Sequence, residues 1–113
     1  MALDIDIRDM KRVSLITIKG RVDSSNAPEL ASAFQSLTDR GRYRLVADLG
    51  GLEYISSAGL RILVSTLKTC RRYNRGDLRL SNIPPRIAEI LDLAGMTPLF
   101  KIFDDTVGAV GSF

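Results

Sequence analysis

The chain reads as an α/β protein with a mixed β-sheet, opened by an N-terminal hairpin and continued by β/α alternation with covering helices. Three observations carry this reading. Leu3, Ile5 and Ile7 alternate with Asp4, Asp6 and Arg8, the period of a half-buried strand, and residues 13–18 form a second, β-branched run close behind. Residues 43–49 are nearly continuous in apolar character, as a central strand covered on both faces requires. The segments around and after that strand carry apolar residues at helical spacing, which supplies the covering layer.

Taken in order, residues 9–12 are short enough to join the first two strands as a hairpin. Gly20-Arg21-Val22-Asp23-Ser24-Ser25 then leads to a helix start. Asn26 is placed as N-cap, Pro28 in the first turn, and Glu29 three residues after Asn26 in a box-like arrangement. Leu30, Phe34 and Leu37 give that helix its stripe, and Arg40-Gly41 ends it. The central strand, with Leu45, Val46, Ala47 and Leu49, runs into Gly50-Gly51, read as a tight turn rather than a phosphate-cradling loop because the spacing fits no phosphate-binding motif. Two serines follow at the mouth of a helix that carries Leu60, Leu63, Val64 and Leu67. Lys68, Arg71 and Arg72 complement its dipole, and Asn74-Arg75-Gly76 stops it. Residues 77–80 form a short strand. Pro84 and Pro85 precede a helix with Ile87, Ile90 and Leu91 that ends near Gly95. Residues 99–103 are a last strand or extended segment, and Asp104 and Asp105 suit the start of a terminal helix. The predicted order is β-β-α-β-α-β-α-β-α, one domain over residues 1–113, without repeats or linkers.

Composition removes several classes of function. The absence of histidine excludes Ser-His-Asp and Cys-His catalysis and every histidine metal site, and the single cysteine, Cys70, excludes cysteine zinc clusters and an internal disulfide. No acid–base or nucleophile–base pair stands out, so the chain is expected to bind rather than catalyse, without a cofactor. Hydrophobic residues make up 45% and charged residues 26%, ordinary for a globular protein. The N-terminal ten residues lack the layout of a signal peptide and no apolar run reaches the roughly 18 residues of a membrane span, so a reducing cytoplasm is expected. The net charge of +3 arises from a small excess of cations and comes with no nucleic-acid recognition motif, so no direct nucleic-acid partner is expected.

The segment from Asp48 to Leu60, Asp-Leu-Gly-Gly-Leu-Glu-Tyr-Ile-Ser-Ser-Ala-Gly-Leu, is similar to the signature of the STAS domain found in anti-sigma factor antagonists (anti-anti-sigma factors). The segment from Pro84 to Phe103 resembles the family's third helix and last strand, so the likeness spans essentially the whole chain. The family pattern is Asp-Ser-Ser/Thr-Gly-Leu. Aligning Gly59-Leu60 with its Gly-Leu sets Ser57 on the phosphorylated serine, Ala58 on the second small residue and Ser56 where the family carries aspartate. From the residues alone, Ser57 reads as a helix cap; with the resemblance it reads as the phosphoacceptor, with Ser56 the alternative. Asp23, in a Gly-Arg-Val-Asp segment resembling the family's Gly-x-Leu/Val-Asp, is either a partner contact near the phosphorylation site or a loop or capping residue. Arg61 is either a partner contact or a solvated cation, and Arg71, Arg72 and Arg75 are either a helix-end cluster or a patch for a membrane or acidic partner. The resemblance implies a phosphorylation-controlled module in bacterial partner switching. It would bind an anti-sigma factor that is also a GHKL-type serine kinase, be reset by a PP2C-type phosphatase, and control a sigma factor indirectly. The alternatives are a STAS subunit of a membrane lipid-transport complex and a nucleotide-sensing STAS domain.

Overall fold

The structure, a computed structural model, describes residues 3–73 and 75–113. Strands β1 (Asp4–Asp9) and β2 (Ser14–Val22) form the antiparallel hairpin. Strands β3 (Arg44–Ile55), β4 (Asp77–Ser81) and β5 (Ile102–Phe103) continue the sheet in parallel, in the spatial order β1-β2-β3-β4-β5. Helices α1 (Ala27–Asp39), α2 (Ser57–Arg71) and α3 (Pro85–Leu93) make the crossovers between parallel strands, and α4 (Thr106–Gly111) closes the chain. This is the mixed sheet and the element order read from the sequence.

The helical stripes and the strand alternation meet in one core. Leu30, Phe34 and Leu37 of α1, Leu60, Leu63 and Leu67 of α2, and Ile87 and Leu91 of α3 are buried together against Ile16, Ile18, Leu45, Ala47, Leu49, Leu78 and Leu80. On the opposite face, Val13 and Val46 pack on Ala109 of α4, with Leu15, Phe103, Val110 and Phe113 around them. β3 is covered on both sides, which is why its first half reads as an unbroken apolar run. No described helix is long and apolar enough to cross a membrane.

Several boundaries differ from the sequence reading. β3 does not turn at Gly50-Gly51 but runs through them to Ile55, and β2 runs on to Val22. The two strands stay paired through two irregularities: Thr17 faces Asp48 while Lys19 faces Gly51, and Gly20 faces Leu52 while Arg21 faces Tyr54. At the first, a Cβ on Gly51 would lie 2.7 Å from Lys19 Cγ, so the glycine gives the Lys19 stem room to lie across the strand. The last strand shrinks to Ile102–Phe103 because Thr97–Leu99, with Pro98 in it, winds into a 3₁₀ turn. The end of α1 is as expected: Gly41 N–H donates to Thr38 O and Arg42 N–H to Leu37 O, closing its last carbonyls. Asn74, named above in the stop of α2, lies outside the described residues.

Candidate functional site

The candidate residues gather where β2 and β3 end and α2 begins. The two strand ends are tied together, since Ser56 N–H donates to Val22 O at 2.9 Å. α2 therefore starts beside the turn that follows Val22, and Asp23 is brought next to the serine pair.

The two serines have different jobs. Ser56 has extended backbone (φ −81°, ψ 170°), and its Oγ accepts from Gly59 N–H at 3.3 Å. It is the N-cap of α2, which corrects the reading of Ser57 as the cap. Ser57 is the first helical residue. It is exposed, and its hydroxyl has no side-chain hydrogen-bond partner among the described residues. The Ser57 and Ala58 N–H groups precede the first intrahelical bond (Leu60 N–H to Ser56 O, 2.9 Å), so both belong to the unpaired, positive end of the helix dipole.

Gly59 and Ala58 set how closely this turn approaches the sheet. Gly59 is buried, and a Cβ there would lie 2.7 Å from both Val22 Cγ1 and Ile55 Cγ1, so only glycine lets α2 begin at this height. Ala58 is half-buried against the core. Arg61 stands one turn after Ser57 on the same exposed face, at the i, i+4 spacing that lets two side chains meet.

Asp23 is a capping residue in the turn before α1. Its Oδ1 accepts from Ser25 Oγ at 2.6 Å, Ser25 N–H at 2.9 Å and Asn26 N–H at 3.2 Å. The Ser25 hydroxyl and then the Asn26 N–H favour its charged form and hold its carboxyl below the usual carboxylate range, against a smaller effect of burial. Asn26 does not cap α1 with its side chain, and Glu29 closes no box. Asn26 Oδ1 instead accepts from Asp23 N–H and its Nδ2 donates to Arg21 O, both at 2.9 Å, while Glu29 N–H donates to the Asn26 carbonyl. The physical reason is the turn after β2: the Asp23 N–H occupies the side-chain oxygen that a cap would use, and the Arg21 carbonyl fixes the amide nitrogen in that orientation.

Two features escaped the sequence reading. Arg21 lies with its guanidinium carbon 4.8 Å from the centre of the Tyr54 ring, across the β2–β3 register, a cation–π contact at the edge of the site. Only the irregular register puts Arg21 opposite Tyr54, and no local spacing encodes that. Behind β3, Asp48 accepts from Gly50 N–H, Asn82 Nδ2 and Thr106 Oγ1 at 2.9, 3.3 and 3.1 Å, and Thr106 Oγ1 also shares a hydrogen bond with Ser81 Oγ. This network fastens α4 to the middle of β3. Away from the site, the basic cluster is not uniform: Arg71 Nε pairs with Asp77 Oδ1 at 3.0 Å, whereas Arg72 and Arg75 are exposed.

The family model for the STAS domain matches residues 4–109. The chain belongs to the STAS-domain family. Among its relatives is BtrV of Bordetella bronchiseptica, assigned by name as an anti-sigma factor antagonist, 34% identical over 96 residues that cover 85% of this chain and 82% of BtrV. The Anti-sigma-B factor antagonist of Bacillus subtilis is 26% identical over 110 residues, 97% of this chain and 99% of that protein. The fold is that of a crystal structure of an anti-sigma factor antagonist from Mycobacterium paratuberculosis, with a TM-score of 0.88 at 22% identity over 98% of this chain and 93% of the other.

Proposed function

We propose that the protein is an anti-sigma factor antagonist acting in the cytoplasm by binding rather than catalysis, and that the Ser57 hydroxyl is its phosphoacceptor. The observation that carries this is the division of labour at the start of α2. The Ser56 hydroxyl is held by Gly59 N–H, while the Ser57 hydroxyl is exposed beside unpaired N–H groups. A kinase can reach Ser57 without dismantling the cap. The names of the relatives support the antagonist role.

Phosphorylation adds about −1.5 to −2 charges at pH 7. At the first helical position that charge is stabilised within this chain by the dipole and by Arg61 one turn on, so the modified helix stays formed. The cost falls on the complex. In an interface built on Asp23, Ser56, Ala58, Gly59 and Arg61 around Ser57, a buried phosphate facing a partner's acidic groups costs a roughly hundredfold or greater loss of affinity. The unphosphorylated form then holds an anti-sigma factor that is also the GHKL-type kinase. The phosphorylated form releases it onto its sigma factor, and a PP2C-type phosphatase resets the cycle.

The test is a pull-down from native lysate with wild-type, Ser57→Ala and Ser57→Asp baits, read by mass spectrometry. The switch requires an anti-sigma factor kinase captured by the first two and lost with the third. Capture of one partner equally by all three would refute it.

A further inference from the structure

The pole opposite Ser57, where β2, β3 and β4 begin, is lined by cations that the switch does not use. The β1–β2 turn and the segment between α1 and β3 face each other across a groove of about 390 Å³, lined by Lys11, Arg12, Gly41, Arg42, Tyr43 and Arg44. Four of those six residues are cationic, and all four lie outside α1.

The Asp9 carboxylate, just before the hairpin turn, is already engaged. Asp9 accepts from Arg40 Nη1 and from Ser14 Oγ, both at 2.8 Å, and lies 4.0 Å from Arg42 Nε, so its charge is shared between Arg40 and Arg42 and pairs with none of Lys11, Arg12 and Arg44. Asp39, the other acid at the end of α1, accepts from Gln35 Nε2 at 2.7 Å and stands on the exposed side of its helix. Lys11, Arg12 and Arg44 have no ion-pair partner among the described residues.

One cation is fixed in place. Arg42 Nε donates to Ser14 Oγ at 2.8 Å, and its Nη2 donates to Met10 O at 2.6 Å and Val13 O at 3.1 Å. This clamps the guanidinium between the hairpin turn and the start of β3, and its Nη1 has no hydrogen-bond partner among the described residues. A guanidinium already held by the fold loses little further freedom on binding an anion. Exposed Arg72 and Arg75 extend the positive field beyond the groove, across the stack of Tyr43 on Tyr73 (ring centres 4.4 Å apart).

We propose that this groove binds a phosphate-bearing anion carrying two or more negative charges, with Arg42 as the fixed donor and Lys11, Arg12 and Arg44 closing on the remaining oxygens. The phosphates come either from a free oligophosphate or from a lipid headgroup, and the arms of the test separate the two.

The experiment titrates the full chain with sodium tripolyphosphate at physiological salt and follows backbone amides by NMR, with sedimentation against phosphatidylcholine vesicles that contain cardiolipin, whose headgroup carries two phosphates, or against vesicles of phosphatidylcholine alone. Saturable shifts are expected in residues 10–13 and 41–45, weakening as salt rises. Arg12→Glu, at an exposed position, with Arg44→Glu, half-buried at the start of β3, is expected to weaken binding by roughly tenfold or more while the amide spectrum outside the groove stays that of the wild type, since each such cation at an anionic site is worth about a factor of five. Arg86→Glu on α3 is expected to leave binding unchanged. Tripolyphosphate binding assigns a soluble ligand, and binding to the cardiolipin vesicles alone assigns a headgroup. Binding of neither, shifts centred elsewhere, equal loss with Arg86→Glu, or a far stronger preference for an oligonucleotide of equal phosphate count would overturn the proposal. The outcome is independent of Ser57, which lies at the other end of the molecule.

Discussion

Exchanging each serine of the pair for alanine separates a cap from a modification site. Ser56→Ala removes the hydroxyl that accepts from Gly59 N–H and leaves that donor unpaired at the start of α2. Loss of an N-cap costs about 1 kcal/mol within a range of 0.5–2, and a bond as long as 3.3 Å belongs in the lower half. Ser57→Ala removes a hydroxyl with no side-chain partner among the described residues and puts the best helix former at the first helical position, so its effect is near zero or stabilising by a few tenths of a kcal/mol. For a chain of this size, about 1 kcal/mol corresponds to roughly 4 °C in Tm. Ser56→Ala is therefore expected to melt about 2–4 °C below wild type and Ser57→Ala within about 1 °C of it. Urea denaturation should show the same order with unchanged m-values. The phosphorylation assay should give the reverse order: with the purified kinase, Ser56→Ala accepts phosphate and Ser57→Ala does not. A Ser57→Ala protein less stable than Ser56→Ala, or phosphate found on Ser56 by mass spectrometry, would refute the assignment of roles.

Three further outcomes follow from the geometry. Gly59→Ala gains about 1 kcal/mol of helix propensity but forces a methyl to 2.7 Å from two buried side chains, an overpacking cost of about 1–3 kcal/mol; a net fall in Tm and weaker partner binding are expected, and an unchanged Tm would show that α2 lifts freely. Burial, and then the nearby Asp77 charge, push the Cys70 thiol up to about 12, so native protein at pH 8 should resist a thiol reagent that labels it fully in denaturant. The Arg40 and Ser14 hydrogen bonds hold Asp9 at about 2, below the ordinary carboxylate value of 3.8, so its stabilising contribution is present above about pH 4 and is lost as pH falls towards 2. Asp9→Asn should flatten that acid limb of the stability curve, and an unchanged limb would show the exposed pair to be fully screened.

The legible parts of this fold were those set by local patterns. Period-two alternation fixed β1, helical stripes fixed the buried faces of α1, α2 and α3, and the two-sided apolar run marked β3 as central. What stayed hidden depends on contacts between distant residues. Gly50-Gly51 looks like a turn in isolation, and it is the pairing of Gly51 with Lys19 and of Leu52 with Gly20 of β2, the Lys19 stem needing the space a side chain at Gly51 would take, that makes it strand. Asn26 has the chemistry of an N-cap, but its side-chain oxygen is taken by the Asp23 N–H while its amide nitrogen is held by the Arg21 carbonyl. In the serine pair the sequence offers two equivalent hydroxyls. The Ser56 N–H bond to Val22 O anchors Ser56 in extended backbone, which makes it the cap and leaves Ser57 as the first exposed residue. The groove at the far pole was invisible because Lys11, Arg12, Arg42 and Arg44 belong to two turns that meet only when β2 and β3 pair in register.

The fold also decides whether the two poles interact. α2 runs from Ser57 to Arg71, and its 15 residues at about 1.5 Å each put its ends about 22 Å apart. The groove lies near the far end, joined to it through the Tyr43–Tyr73 stack. At physiological salt the Debye length is about 8 Å, so a charge placed at Ser57 reaches the groove through more than two screening lengths. Coupling by shape is also weak, because α2 packs along its whole length on a core of Leu60, Leu63 and Leu67, and an added phosphate leaves that core intact. Ser57→Asp is therefore expected to change tripolyphosphate affinity by less than about twofold, and the effects of Ser57→Asp and Arg12→Glu/Arg44→Glu on their respective ligands should add. A larger change would show that a phosphate at Ser57 shifts α2 as a rigid lever, and would make the anion a regulator of the switch rather than a second, independent ligand.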